Sequence, residues 1–433
     1  MIRVLLCLLS LGTAAGAASA QPFAVPPRLS LDEALRLAHA RNPTLAAARI
    51  VVEAAGGDRL DARLRPNPAL TVDTENYPLF EPGRPSFLNN QQLTIRLDQE
   101  FELAGRRRLR TEVADANVTI AEASAHDQLR RLDLAVRESY LAIVLAEADV
   151  EVAQGTLDEI DRVIALNQAR HAQGEISGVD VRRVQVERLR FVDDVFNAQL
   201  ALRNARSSLL ALLDAPDLAV EFEVTDSLAG VSAAGAVAPT SAGTALDADA
   251  LRQQALAARP DLRAARADVQ RADTETRLQR ALRTPNVTVG GGYQRDFSAH
   301  AAVFGVTVPL PFANRNQGGL ARAIAERARA EHLATAVEAA VRLDVQQAMN
   351  AADVATARVA YIEREYLGPA RESRDIVSAS YRLGTATLID FLDAQRAFRD
   401  TLRTYNRALY EQRLSLFQLT AATGGAPLAQ VTR

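Results

Sequence analysis

The sequence repeats itself at a distance of about half its length. Residues 43–49 read Pro-Thr-Leu-Ala-Ala-Ala-Arg, and residues 260–266, which lie 217 positions later, read Pro-Asp-Leu-Arg-Ala-Ala-Arg. A second match pairs residues 174–185 with residues 384–395 at a separation of 210 positions, and a Gly, an Asp and a Gln coincide within it. Matches in the same order at nearly constant spacing predict two structural copies in one chain, rather than a solenoid of short units.

Long stretches without a helix breaker dominate both copies. We expect helices over residues 31–63, 104–170 and 179–213 in the first copy and over residues 319–378 and 388–420 in the second. Apolar or small residues recur in the longest stretch at the alternating four- and three-residue spacing typical of a coiled coil. A helix of that length extends for about 100 Å, which is too long to wrap around a globular core. The low aromatic content of 5% also fits a helix-rich rod or tube.

One pair of strands is expected in each copy, between its first helix and its long helix. Apolar and polar residues alternate over residues 70–75 and 93–98 in the first copy and over residues 287–289 and 304–308 in the second. This alternation gives a strand one apolar and one polar face, which suits both a half-buried sheet and an outer-membrane barrel. The glycine triplet at residues 290–292 predicts a bend or a close approach of another backbone within these strands.

The first 20 residues are expected to be a secretory signal peptide. A short positive start precedes an apolar run, and residues 18–20 (Ala-Ser-Ala) form an AxA-type cleavage site. The single cysteine, Cys7, lies inside this segment, and Leu6 before it does not suit a lipidation motif. We therefore expect an exported, unlipidated protein without disulfides. No later stretch predicts a membrane helix, so entry into a membrane would require a closed β-barrel.

The predicted organisation has five parts. They are a signal peptide (1–20), a first repeat (21–214), an equatorial linker between the repeats (215–247), a second repeat (248–423) and a C-terminal tail (424–433). The linker is rich in Ala, Gly, Ser and Val and is expected to be loosely ordered. Closing a barrel takes about eight strands or more, whereas one chain supplies four. Membrane strands would therefore require several chains to share one barrel, and the fold class is mainly α with a membrane β-barrel.

Five short stretches carry a family resemblance. They are residues 29–35 (Leu-Ser-Leu-Asp-Glu-Ala-Leu), 42–45 (Asn-Pro-Thr-Leu), 66–68 (Pro-Asn-Pro), 101–107 (Phe-Glu-Leu-Ala-Gly-Arg-Arg) and 309–318 (Pro-Leu-Pro-Phe-Ala-Asn-Arg-Asn-Gln-Gly). In this order, within a duplicated chain, they resemble the TolC-like outer-membrane efflux protein family. Within that family the chain looks most like the CzcC/CusC-type outer-membrane components of heavy-metal (cobalt-zinc-cadmium) efflux pumps.

The resemblance implies an assembly and a function. It implies a homotrimer in the cell outer membrane, with a shared twelve-stranded β-barrel and long α-helical hairpins that form a periplasmic α-barrel. It implies a periplasmic membrane-fusion (adaptor) protein and an inner-membrane RND transporter as partners, and export of heavy-metal cations. A TolC-type duct for drug efflux or type I secretion remains an alternative. A periplasmic coiled-coil adaptor is another, although an adaptor normally has one hairpin flanked by β-rich segments.

The tips of the two helical hairpins are where the resemblance implies a periplasmic gate. Asp390 and Asp393 can project from one helix face and match positions at which related channels carry constricting carboxylate rings. Such rings attract cations in a narrow pore. Asp180 and Tyr381 match a pair that helps to hold the tip closed. The tip residues expected to dock the adaptor are Gly174, Gly384, Thr385 and Leu388.

The tips also depart from the family pattern. Ala386 stands where better-known relatives have the arginine of a gating link, so a salt-bridge lock is not expected at that position. Arg183 holds in the first copy the place that Asp393 holds in the second. The acidic ring would therefore not follow the internal symmetry of the chain.

Helix capping is an alternative explanation for two of these aspartates. Ser177 and Asp180, and likewise Thr387 and Asp390, have the spacing of a capping box at the start of a helix. An aspartate in a first helical turn is also favoured by the helix dipole. Capping and gating are compatible roles, and Asp393 lies one turn too far along the helix for the capping box.

Several function classes are disfavoured by what the sequence lacks. The formal net charge of −3 offers no basic excess for binding nucleic acid. The five histidines are scattered, and no spacing among them predicts a transition-metal site. No nucleophile with an organised base can be proposed, so the chain is not expected to be an enzyme, and no cofactor is expected.

Overall fold

The computed structural model describes residues 25–75, 92–228, 247–296 and 299–425. The expected signal peptide with Cys7, residues 76–91 between the first two predicted strands, much of the equatorial linker and most of the C-terminal tail lie outside these residues. The described chain is mainly helical and contains one four-stranded sheet.

Two hairpins of long helices extend from this sheet, and the same order of main elements occurs in both halves of the chain. The first half contains β1 (Arg28–Leu29), α1 (Leu31–Arg41), α2 (Pro43–Arg63), β2 (Ala69–Glu75), β3 (Gln92–Phe101), α3 (Arg106–Ala172), α4 (Gly178–Leu212) and β4 (Glu223–Val224). The second half contains α5 (Ala248–Ala258), α6 (Pro260–Ala281), β5 (Val287–Asp296), β6 (Ala299–Thr307), α7 (Gln317–Ile362), a π-helical turn (Glu363–Leu367), α8 (Gly368–Arg382) and α9 (Leu388–Ala422). With 67 residues, α3 is about 100 Å long.

The single helix predicted over residues 31–63 is wrong, because it is two helices that meet at Asn42. The Asn42 side chain accepts the N–H of Thr44 at 3.1 Å and that of Leu45 at 3.2 Å, which caps the start of α2. Pro43 follows at the first helical position, where its missing N–H costs nothing and its ring disfavours a helical conformation at Asn42.

The long helix predicted over residues 319–378 is also interrupted. A π-helical turn at Glu363–Leu367 separates α7 from α8, and Pro369 is the second residue after it. Proline has no N–H for the carbonyl four residues earlier, and its ring crowds that carbonyl. The wider π turn accommodates this local conflict. The equivalent helix of the first half, α3, has no proline and runs without a break.

The prediction of a loosely ordered linker is wrong for its first part. β4 pairs in parallel with β1, and Phe222 and Leu228 are buried in the core below it. The buried hydroxyl of Tyr140 in α3 donates to the carbonyl of Leu29 at 3.0 Å and contacts Oδ2 of Asp226 at 2.6 Å. Residues 215–228 are therefore fixed against the helices, while residues 229–246 lie outside the described chain.

The four strands form one antiparallel sheet in the order β2-β3-β5-β6. The pairing register places the alternating residues on two faces of different character. The exposed large apolar side chains on one face are Leu70, Val72, Ile95, Leu97, Phe101, Val289, Tyr293, Phe304 and Val306. The charged side chains on the opposite face are Asp73, Glu75, Arg96, Asp98, Glu100 and Asp296.

The helices pack around separate hydrophobic clusters along the length of the hairpins. One cluster surrounds Tyr140 near the equatorial segment, where α1, α3, α4 and α9 meet. Another joins the two hairpins near their tips and includes Phe191, Phe391 and Tyr381. No helix in the described part of the chain is both long and apolar enough to cross a membrane.

Candidate functional site

Both hairpin tips have the same backbone geometry. The turns after α3 and α8 each contain a glycine in the left-handed region, Gly174 and Gly384, both with a φ of +78°. In each turn the N–H of the residue after the glycine bonds to a carbonyl five residues earlier, with an N···O distance of 2.9 Å in both cases. This is the helix-ending turn in which glycine is preferred, because other residues reach that φ only with strain.

The helices that leave the two tips begin differently. In α9 the N–H of Asp390 donates to Oγ1 of Thr387 at 3.2 Å, and the N–H of Thr387 donates to Oδ2 of Asp390 at 3.0 Å, so a capping box forms. In α4 the Ser177 hydroxyl accepts the N–H of Val179 at 3.2 Å, and the box expected with Asp180 does not form. The capping box is confirmed for Asp390 and wrong for Asp180, which lies in the first turn of α4 without forming a box.

Asp390 and Asp393 both lie on the exposed surface at the start of α9. The Thr387 hydroxyl and then its N–H, which both donate to the Asp390 carboxylate, hold the pKa of that carboxyl below its usual range. The Asp393 side chain is 64% exposed and lies 3.3 Å from Arg396 in the next turn. Arg396 also forms an ion pair with Glu187 of α4. Both aspartates therefore carry exposed negative charge, but Asp390 has a structural role as well.

Tyr381 is a buried side chain between the two hairpins. Its ring stacks on Phe391 at 5.2 Å, and its hydroxyl donates to Oδ1 of Asn167 in α3 at 2.8 Å. The structure does not join Tyr381 to Asp180 by a hydrogen bond within the chain, although the two groups are close enough to interact electrostatically. Burial raises the pKa of the Tyr381 hydroxyl and outweighs the opposing effects of Asn167 and Arg170. The hydroxyl is thus a persistent donor.

The residues expected to dock an adaptor do not all face solvent. Gly174 and Gly384 lie at the exposed turns, and the Thr385 hydroxyl donates to the carbonyl of Ser380 at 3.0 Å. Leu388 is partly withdrawn and packs against the cluster that joins the hairpins. The exposed apolar side chains at the tips are instead Val179, Leu383 and Ile389.

An open groove of about 750 Å³ lies between α3, α8 and α9. Its charged walls are ion-paired, as in the contacts of Arg374 with Asp375 and of Arg382 with Glu159. Among the described residues, no group of three or more His, Cys, Asp or Glu side chains could hold a metal ion. The groove therefore offers polar surface rather than a metal centre.

The sequence matches the family described as "Outer membrane efflux protein" over residues 34–215 and 251–425. The chain belongs to this family of efflux channels. Members are transport ducts, so the chain is a duct and not an enzyme, and it belongs in the outer membrane. The resemblance inferred from the five short stretches is confirmed, and the periplasmic-adaptor alternative is wrong.

Several relatives of this efflux protein are named as heavy-metal resistance proteins. It is 29% identical over 374 residues to the "Cobalt-zinc-cadmium resistance protein CzcC" of Cupriavidus metallidurans, covering 85% of this chain and 83% of that protein. It is 27% identical over 353 residues to the "Nickel-cobalt-cadmium resistance protein NccC" of Alcaligenes xylosoxydans xylosoxydans, covering 80% and 74%. The crystal structure of CusC, at 18% identity, superposes with a TM-score of 0.74 over 91% of this chain and 92% of that one, which shows a shared fold.

Two residues of the tip were missed by the sequence analysis. Asn167 accepts the hydroxyl of Tyr381, and Arg170 bonds to backbone carbonyls at the end of α8. The first half has Arg170 where the second half has Ser380, so comparing the repeats reveals a difference at this position. This difference between the repeats could have drawn attention to Arg170, but it does not indicate which groups accept the hydrogen bonds of the arginine.

Proposed function

We propose that this efflux protein is the exit duct of a tripartite RND-type system that exports heavy-metal cations from the cell. The names of the relatives CzcC and NccC support the metal class. The observation that carries the proposal is the charge of the polar face of the four-stranded sheet. Its five carboxylates face one guanidinium, that of Arg96, which is already paired with Asp98 at 2.9 Å. A passage lined by this face would concentrate cations and repel anions.

The assembly we propose is a homotrimer in which twelve strands form one shared β-barrel and the helical hairpins form a periplasmic tube. In the described chain, β2 and β6 are the outer strands of the sheet and each pairs on one side only, which leaves edges for neighbouring subunits. α4 also carries an unpaired apolar stripe at coiled-coil spacing. Its exposed members are Val179, Val186, Leu189, Phe196 and Leu200.

The remaining parts of the proposal concern processing and partners. Residues 1–20 would be removed as a signal peptide, the mature chain would not be lipidated, and the two repeats would be joined by the linker at residues 215–247. A periplasmic adaptor would bind the hairpin tips, including Gly174, Gly384, Thr385 and Leu388. An inner-membrane RND transporter would supply the driving force, because a duct of this kind has no energy source of its own.

The gate we propose lies at the hairpin tips. Asp390 and Asp393 would form carboxylate rings at the mouth, since both are exposed on one side of α9. Asp180 would add charge beside them, and buried Tyr381 would fix the second hairpin against the first. The role of Asp390 as a helix cap is compatible with this gate.

Asp393→Asn is expected to weaken the cation preference of the channel in planar bilayers. A unit charge about 4 Å from an ion in water contributes on the order of 1 kcal/mol, so the cation-to-anion permeability ratio should fall by up to about fivefold. Asp393 is preferable to Asp390 for this test because it takes no part in the capping box. The matched control is Asp400→Asn, which removes a similarly exposed carboxylate, paired with Arg399, two turns farther from the tip. Equal permeability ratios in both variants and the native protein would remove Asp393 from the gate.

The proposed function is tested by deleting the gene and measuring growth across zinc, cobalt, cadmium, nickel, copper and silver, beside hydrophobic antibiotics and dyes. We expect sensitivity to one or more metals, restored by the intact gene, because loss of the exit duct traps the exported cation. Sensitivity to drugs alone would contradict metal export and favour a general efflux duct. The affected ion would name the substrate.

A further inference from the structure

An arginine at the end of the first hairpin's long helix holds the end of the second hairpin's helix. The guanidinium of Arg170, in the last turn of α3, donates to the backbone carbonyl of Tyr381 at 3.3 Å and to that of Arg382 at 2.6 Å. Both carbonyls belong to the last turn of α8, where a helix carries partial negative charge, and that of Tyr381 also accepts the N–H of Gly384 at 3.1 Å. The same guanidinium lies 5.9 Å from the centre of the Tyr381 ring. Arg170 therefore makes a three-part contact with one helix end.

This contact differs from the other ionic links between the hairpins. Arg382 pairs with Glu159 at 3.0 Å, and Arg399 pairs with Asp194 at 2.6 Å. Each of those links joins two flexible side chains, and the Arg382 side chain of the first is 60% exposed, where an ion pair contributes little. The side chain of Arg170 is only 18% exposed, and its acceptors in the second hairpin are backbone groups fixed by the helix. Its ion pair with Glu175, at 3.9 Å, stays within the first hairpin. Forming the contact with the backbone groups therefore restricts one flexible side chain, whereas an ion pair between two side chains restricts both.

The contact covers a buried polar pair that is incompletely satisfied. The Tyr381 hydroxyl donates to Oδ1 of Asn167, but Nδ2 of Asn167 is buried and has no hydrogen-bond partner among the described residues. A buried donor without an acceptor destabilises the arrangement that buries it. The joined arrangement of the two tips therefore carries the free-energy cost of the unsatisfied Nδ2 of Asn167. Such a cost is expected at a contact that must also be able to separate.

We infer that Arg170 is a latch within one subunit, which keeps the two hairpin tips together and limits how often the periplasmic mouth opens. The inference rests on the proposed function as a duct. Moving α8 away from α3 breaks both carbonyl bonds and the ring contact at once, because all three involve the same guanidinium. The same movement gives water access to Asn167, whose unpaired N–H then gains a partner. Arg170 is a positioning residue and need not touch the exported ion.

The test is the open probability of the purified protein in planar bilayers, measured for the native protein and for Arg170→Ala. Charged hydrogen bonds of this kind bias a two-state equilibrium by about tenfold, so the open probability should rise by about that factor. The matched control is Arg162→Ala, which removes an arginine two turns away on α3 whose bonds stay within that helix. The control should behave like the native protein.

A cross-linked variant separates a latch from general loosening of the fold. Cys7 is the only cysteine and lies in the proposed signal peptide, so Arg170→Cys combined with Arg382→Cys gives the mature protein two thiols for a bifunctional maleimide. Before cross-linking, this protein should open as often as Arg170→Ala. After cross-linking, the open probability should return to the native level.

The outcomes distinguish the latch from the duct itself. Native-like open probability in Arg170→Ala, or a cross-linked protein that stays as open as the uncrosslinked one, would overturn the latch and leave the duct in place. A native protein that conducts no ions would instead contradict the proposed function.

Discussion

Replacing Arg259 by methionine is expected to lower the free energy of unfolding by about 3 kcal/mol, because it leaves the carboxylates of Asp261 and Asp344 without their buried cation. The Arg259 side chain is 5% exposed and lies between α5 and α6. It donates to Asp261 at 2.6 Å and to Asp344 of α7 at 2.8 Å, and it reaches the carbonyl of Ala422 at the end of α9. Loss of this one side chain therefore removes contacts that join α6, α7 and α9.

The pH dependence of the free energy of unfolding provides a second, independent test of this prediction. Burial by itself raises the pKa of Asp261, but the bonds and charge of Arg259 outweigh it and hold that pKa below its ordinary value. A carboxyl with a lowered folded-state pKa adds stability above its unfolded pKa of about 4, and loses it as the pH falls through the folded value. The difference between native protein and variant should thus be largest near neutral pH and shrink in acid.

The measurement is denaturant unfolding of the purified protein at neutral and acidic pH. Arg252→Met is the matched control, because Arg252 also links α5 to α7, through Gln346 at 2.7 Å, but is 38% exposed. An exposed contact of this kind is expected to cost less than about 1 kcal/mol. The stabilising role of buried Arg259 would be refuted if both variants lost the same free energy of unfolding. It would also be refuted if the difference between the native protein and Arg259→Met grew in acid.

The fold was predictable wherever the sequence carries a strong period. Alternation of apolar and polar residues gave the four strands, and the long stretches without proline gave α3, α4 and α9 close to their observed ends. The errors in the helix bounds came from two prolines. Pro43 was accommodated as the first residue of a new helix, and Pro369 was accommodated by a π turn, and neither outcome follows from helical periodicity.

The site was predictable only where its contacts are local in sequence. The capping box of Thr387 and Asp390 spans three residues, so its spacing could be read directly. The equivalent spacing at Ser177 failed, because that hydroxyl accepts an earlier N–H. Arg170 could not have been assigned, because its acceptors belong to backbone groups more than 200 residues away and carry no sequence signature. The family resemblance identified the tips but not this contact.

The glycine triplet in β5 shows a sequence signal with a clear physical cause. A Cβ on Gly292 would lie 2.7 Å from the Cα of Arg96 in the neighbouring strand, and closer still to the carbonyl oxygen of Ile95. Distances below 3.0 Å are not found for real Cβ atoms, and both neighbours are backbone atoms that cannot rotate away. The close approach predicted for residues 290–292 is therefore confirmed at Gly292. β3 and β5 would have to separate to admit any other residue.

Gly292→Ala is accordingly expected to deplete the folded protein from the outer-membrane fraction. Overpacking typically costs about 1–3 kcal/mol, and the upper end applies here because the clash breaks the central strand pair of the sheet. Gly305→Ala in β6 is the matched control, since a Cβ there has no atom within 4 Å. The control should reach native levels, as judged by membrane fractionation and immunoblotting. Similar amounts of both variants would mean that the strands tolerate the added methyl group, and that Gly292 is not required for the close approach of β3 and β5.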